Sequence, residues 1–188
     1  MAWAPAYVDP EDLNRFVRVD DTVDDVEAGL AIEAASRAVD AFTGRQFGLV
    51  DAAEARRYTA RPRSGRWVAD IDDLMTVVGL AVEGPSGAVT GYDLMPVNAA
   101  QEGRPWTRLA VDGVCEVTVT AQWGWTVVPE PVKQATLLQA SRFLARRDSP
   151  YGIAGSPDQG SELRLLSRVD PDVAVILGPY VRRGFVFA

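Results

Sequence analysis

The apolar residues of this chain change period twice, and that change limits the folds open to it more than any other feature. Up to residue 43 they recur at helical spacing; between about 55 and 123 they alternate with polar residues; from about 130 the helical spacing returns. Two helical segments flanking a run of strands predict an α+β chain. Its core is expected to be mainly helical, with long helices at about 22–43 and 130–147, short ones at about 10–18 and 171–177, and a β insertion at about 55–123. The whole, residues 1–188, is expected to be a single domain, with 51–125 as the β-rich insertion and 179–188 as a tail.

Local signals support each element. Asp9, Pro10, Glu11 and Asp12 read as an N-cap, a proline at the first helical position and acids in the first turn, followed by Leu13, Phe16 and Val17. A second helix starts at Asp21 or Thr22. Val26, Leu30 and Ala34 form one stripe along it, and Ile32, Ala35, Val39 and Phe42 an adjoining one, so a broad apolar face is expected. Gly44 supplies the left-handed stop. Strands are expected at 57–59, 66–71, 76–82, 92–95, 107–111 and 114–123, with turns at 84–87 and at Asp112-Gly113. Pro129 and Pro131 introduce the third helix, whose buried face is Val132, Ala135, Leu138 and Phe143 or Leu144. Residues 148–161 hold three glycines and two prolines and read as a loop; 162–169 read as a short strand; Asp170-Pro171 caps a last helix that closes at Gly178-Pro179.

Composition bears on function. There is no histidine and one cysteine, Cys115. That removes His-based triads, His general bases and His metal ligands, and leaves no thiol set for zinc or iron–sulfur. The only lysine, Lys133, follows no phosphate-binding glycine loop. No catalytic residue, cofactor or metal is expected. No apolar run reaches the roughly 18 residues of a membrane helix, and the opening MAWAPAYVDPEDL lacks the basic and apolar regions of a signal peptide. The net charge is −7, made of −6 over residues 1–50, −3 over 51–129 and +2 over 130–188. A DNA-gripping protein usually carries a stronger basic footprint.

A few clusters invite a functional reading. Asp20, Asp21, Asp24, Asp25 and Glu27 suit a helix N-terminus better than a calcium loop, which would need a central glycine and a terminal bidentate glutamate. Asp70, Asp72 and Asp73 are the candidate acids for the alternative function, a small carboxylate-dependent enzyme or ligand-binding module; as a cluster on a turn they read as solvated. Arg142, Arg146 and Arg147 form the densest basic group noted, at a helix C-terminus, and are the candidates for a nucleic-acid contact. The tail sets Tyr180, Phe185 and Phe187 beside Arg182 and Arg183, the composition of an interface anchor. With Tyr151 in the loop, the three helix arginines and the five tail residues make the candidate assembly interface.

Three ordered segments resemble the head-to-tail connector (adaptor, or head-completion) family of long-tailed bacteriophages. Residues 20–47 run from D-D-T-V-D-D through A-A-S-R-A-V-D to G-R-Q-F. Residues 123–142 read W-G-W-T-V-V-P-E-P-V-K-Q-A-T-L-L-Q-A-S-R. Residues 146–155 read R-R-D-S-P-Y-G-I-A-G, followed over 165–180 by L-L-S-R-V-D-P-D-V and a Pro-Tyr pair. The resemblance covers most of the chain. It implies a non-enzymatic virion protein at the head–tail neck, assembled in the bacterial cytoplasm. Its partners would be the portal protein, stopper or tail-terminator proteins, and about a dozen identical subunits in a ring. DNA would pass through the channel without specific binding, and no membrane is involved. The β insertion is long for a compact helical connector.

Overall fold

The computed structural model describes residues 4–18, 25–148, 153–154, 163–164 and 170–182. They form two compact units. One is Gln46–Val127; the other joins Ala4–Arg45 to the chain from residue 128 onward.

The helical unit contains α1 (Pro10–Val17), α2 (Asp25–Thr43), α3 (Glu130–Asp148) and α4 (Pro171–Leu177). Helix α1 starts at Pro10, with the Asp9 carbonyl accepting from the Asp12 and Leu13 amides, and ends where Arg18 turns left-handed at φ 59°. Helices α2 and α3 meet through small side chains: Ala28, Ala31, Ile32 and Ala35 of α2 and Ala140 of α3 are buried in one cluster with Leu13, while Leu137, Phe143 and Leu144 pack at its margin. The expected apolar face of α2 is therefore divided. Its alanine side is buried, whereas Val26, Leu30 and Ala34 face outward. Small residues let two helix backbones approach closely, so the alanine-rich side makes the contact and the bulkier stripe is rotated away. Gly44 takes the left-handed conformation (φ 63°) and its amide donates to the Asp40 carbonyl, as a helix stop should. Helix α4 is capped by the Asp170 carboxylate, which accepts from the Asp172 amide at 2.8 Å. Gly178 is not a left-handed stop: its φ is −48°, and the helix tightens into a 3-10 turn at Gly178–Tyr180.

The β unit holds β1 (Glu54–Thr59), β2 (Arg61–Arg63), β3 (Arg66–Leu74), β4 (Ala81–Gly84), β5 (Gly87–Ala88), β6 (Tyr92–Met95), β7 (Trp106–Val111) and β8 (Glu116–Ala121). They pair antiparallel in two four-stranded sheets, ordered β1-β8-β4-β5 and β2-β3-β7-β6. Alternation places Val117, Val119 and Ala121 of β8 in the same buried cluster as Ala69, Ile71, Leu109 and Val111 of the other sheet. Residues 76–80, expected to extend a strand, lie outside it. Gly79 is left-handed (φ 70°), and Val77 and Val78 are exposed, so the chain joins the ladder only at Ala81. Beyond α3, two-residue strands β9 (Ile153–Ala154) and β10 (Leu163–Arg164) pair antiparallel. The mixed α+β class is as expected. The apolar interior is shared between a cluster on the sheets and one on the helices.

Candidate functional site

The Trp123-Gly124-Trp125 motif closes the β unit. Gly124 lies at φ 115°, and its amide donates to the Asp73 carbonyl at 2.7 Å; the Trp125 amide donates to the Gly48 carbonyl at 2.8 Å. Both indoles are fixed by their N–H groups, Trp123 to the Glu54 carbonyl at 2.8 Å and Trp125 to the buried Asp73 carboxylate at 2.7 Å. Trp125 packs against Phe47, with ring centres 5.1 Å apart. The motif thus clamps the strand-like segment 47–50 to the end of β3.

The three candidate acids lie within β3, not on a turn, and successive side chains alternate between its faces. Asp73 accepts from Trp125. Asp72 accepts from Arg56 and from the Tyr58 hydroxyl, each at 2.8 Å. Asp70 stands opposite Arg108 in the ladder. Burial, and then the Asp72 charge, push the Tyr58 hydroxyl well above its ordinary pKa, so it stays a proton donor to Asp72. Asp72 and Asp73 are thus engaged in holding strands and a tryptophan. Among the described residues no group of three or more Asp, Glu, Cys or His is placed to hold a metal ion. No described helix is long and apolar enough to cross a membrane.

The candidate interface residues are placed as follows. Arg142 reaches the Asp170 carboxylate at 3.1 Å and ties α3 to the cap of α4. Arg146, one turn on, is half-buried. The Tyr180 carbonyl accepts from Arg45 Nε at 2.7 Å, and the Arg182 amide donates to the Thr43 carbonyl at 2.7 Å. Residues 180–182 are thereby held at the C-terminal end of α2. The Arg147 side chain and Tyr151, Arg183, Phe185 and Phe187 lie outside the described residues, as do Asp20, Asp21 and Asp24.

Two features escaped the sequence reading. First, residues 4–7 lie along α2: Arg37 donates to the Ala4 and Pro5 carbonyls at 2.5 and 2.8 Å, the Tyr7 amide donates to Ser36 Oγ at 3.2 Å, and the Tyr7 hydroxyl donates to Asp40. Burial raises the Asp40 pKa, and the Tyr7 and Arg37 contacts only partly offset it. Nothing in a hydropathy pattern marks such a side-chain strap. Second, five arginines fall between residues 55 and 69 with no acid among them, a larger basic group than Arg142 to Arg147. Plain counting would have found it. The fold neutralises much of it, pairing Arg56 with Glu54 and Asp72, Arg57 with Glu116, and Arg66 with Asp93 and Asp112.

No family model and no curated protein matches the chain. Among solved structures it is similar to a chain in the neck of an empty GTA (gene transfer agent) particle computed with C6 symmetry. The TM-score is 0.56 at 16% identity, over 100% of this chain and 96% of that one. A chain from the neck of a native GTA particle, computed with C12 symmetry, aligns at a TM-score of 0.44 and 20% identity, over 90% of this chain and 97% of that one. The first match places the fold, end to end, with that of a particle-neck chain.

Proposed function

We propose that this chain is a structural, non-enzymatic protein of the head–tail neck of a phage-like particle. In this reading it forms a ring of identical subunits beneath the portal and prolongs the DNA channel. It also offers the surface on which stopper or tail-terminator proteins dock. It acts in the virion after assembly in the bacterial cytoplasm. The observation that carries the reading is the fold likeness to a neck chain over 100% of this chain and 96% of that one, in a particle computed with cyclic symmetry. Residue chemistry agrees with it. The chain has no histidine, and Asp72 and Asp73 serve as hydrogen-bond acceptors within the β unit. The carboxylate-enzyme alternative needs two acids converging with different proton affinities; of its candidate acids, Asp72 and Asp73 are each held by a hydrogen bond within the β unit instead.

The test is to mix the purified protein with portal rings and view the product by negative-stain microscopy. A new collar of density on one end of the portal is the expected result. Bare portals at saturating protein would overturn the reading.

A further inference from the structure

The chain contains two Asp–Pro peptide bonds, Asp9–Pro10 and Asp170–Pro171, and each stands at the start of a helix. The carboxylates beside them are held differently. Asp170 has both oxygens engaged: Oδ1 accepts from the Asp172 amide at 2.8 Å, and Oδ2 lies 3.1 Å from Arg142 Nη1. Asp9 is exposed and its side chain makes no capping hydrogen bond. The acids that follow it on α1, Glu11 and Asp12, are each paired with Arg15, at 3.2 and 3.0 Å.

We propose that Asp9–Pro10 is a self-cleavage site, at which the Asp9 carboxylate cuts its own peptide bond in mild acid well ahead of the bond at Asp170–Pro171. A side-chain oxygen of Asp9 adds to the carbonyl carbon of the same residue and closes a five-membered ring. The bond from that carbon to the Pro10 nitrogen breaks. The nitrogen takes a proton from the solvent and leaves as the secondary ammonium of Pro10. One water then opens the cyclic anhydride, which gives Asp9 its α-carboxyl and restores its side-chain carboxyl. Nothing is oxidised or reduced. Proline suits the step because its nitrogen belongs to a tertiary amide, more basic than that of an ordinary peptide bond.

Local structure favours the attack at Asp9. Its carbonyl oxygen accepts from the Asp12 and Leu13 amides at 3.1 and 3.2 Å, and donors so placed stabilise the negative charge that builds on this oxygen as the ring closes. The uncapped side chain turns to its own carbonyl without giving up a partner. At Asp170 the same turn must first break the bond to the Asp172 amide and the contact with Arg142, and that cost slows the step roughly tenfold or more. Scission after Asp9 cuts the covalent link between residues 4–7 and α1. It leaves untouched the bonds that hold those residues to Ser36, Arg37 and Asp40.

The test incubates the full-length protein near pH 4, where a free aspartate is about half ionised, and follows the products by intact mass. Circular dichroism fixes the lowest pH at which the chain is still folded, and the two bonds are compared there. The fragment beginning at Pro10 is expected to accumulate at least tenfold faster than the fragment beginning at Pro171. In urea at the same pH the two rates should converge, because the contacts of Asp170 are then gone. Asp9→Glu, which must close a larger and less favourable ring, should slow the first cut at least tenfold in a chain whose dichroism is unchanged. Equal rates in the folded chain, a rate ratio that persists in urea, or a first cut indifferent to Asp9→Glu overturns the proposal. So does a folded chain that stays intact under conditions in which the urea-unfolded chain is cut.

Discussion

Gly124 sits at φ 115°, and a Cβ there would stand 1.7 Å from the Gly48 carbonyl oxygen. No side-chain rearrangement relieves a clash with backbone. Gly124→Ala should therefore lower the stability of the β unit by roughly 2–4 kcal/mol, through both the left-handed backbone and the forced separation of segment 47–50. The measurement is the urea midpoint followed by tryptophan fluorescence, since Trp123 and Trp125 flank the site. Asp40 makes a different prediction. Its raised pKa means the folded state holds the proton more tightly than the unfolded chain. The stability this contributes is complete below the ordinary carboxyl pKa and is lost as pH rises through the raised folded value. Relative to an Asp40→Asn variant, the native protein should thus lose stability as pH increases from about 3 through the acid range. Paired unfolding curves at several pH values give the sign, and a difference that grows with pH would contradict it.

At the scale of elements, the link between the C-terminal segment and α2 decides where the chain can be shortened. Removing everything after Gly178 deletes the carbonyl that receives Arg45 and the amide that bonds Thr43. Removing residues after Arg182 deletes neither. The shorter chain should melt earlier by an amount on the order of 1–3 kcal/mol, while the chain ending at 182 should melt as the full-length protein does. Equal melting of the two would show that these two hydrogen bonds contribute nothing. The helices were legible because their periods and caps are local: Pro10, Gly44 and Asp170 sit where the sequence puts them. What the period could not say is which part of a broad face is buried. Val26 and Leu30 read as core beside Ile32, and only the alanines opposite Ala140 decide otherwise. The carboxylates misled for a related reason. Asp73 in isolation reads as solvated, and its partner, Trp125, is 52 residues away in the chain.

For the whole molecule, charge was the most legible property and also the one most changed by folding. The arginines of β1, β2 and β3 would suggest a grip on phosphates, yet most are spent on nearby carboxylates, and Arg63 faces Arg66 across the hairpin without an acid between them in sequence. With a net charge of −7, the isolated chain should show no sub-micromolar affinity for duplex DNA at physiological salt. Fluorescence anisotropy with a labelled duplex measures this directly; tight, steeply salt-dependent binding would refute it.

The order of the two units along the chain has a consequence for synthesis. Among the described residues the β unit is one unbroken stretch, Gln46–Val127, whereas the helical unit is split around it. Helix α2 therefore leaves the ribosome long before α3 exists to cover Ala28, Ala31 and Ala35. At ordinary elongation rates that gap lasts roughly 4–17 s. During it the nascent chain can finish its sheets, but the alanine seam of its longest early helix stays open to whatever else surrounds the ribosome. The low bulk of those side chains makes that exposure cheap: a seam of methyl groups offers a chaperone or a neighbouring nascent chain far less to hold than leucines would.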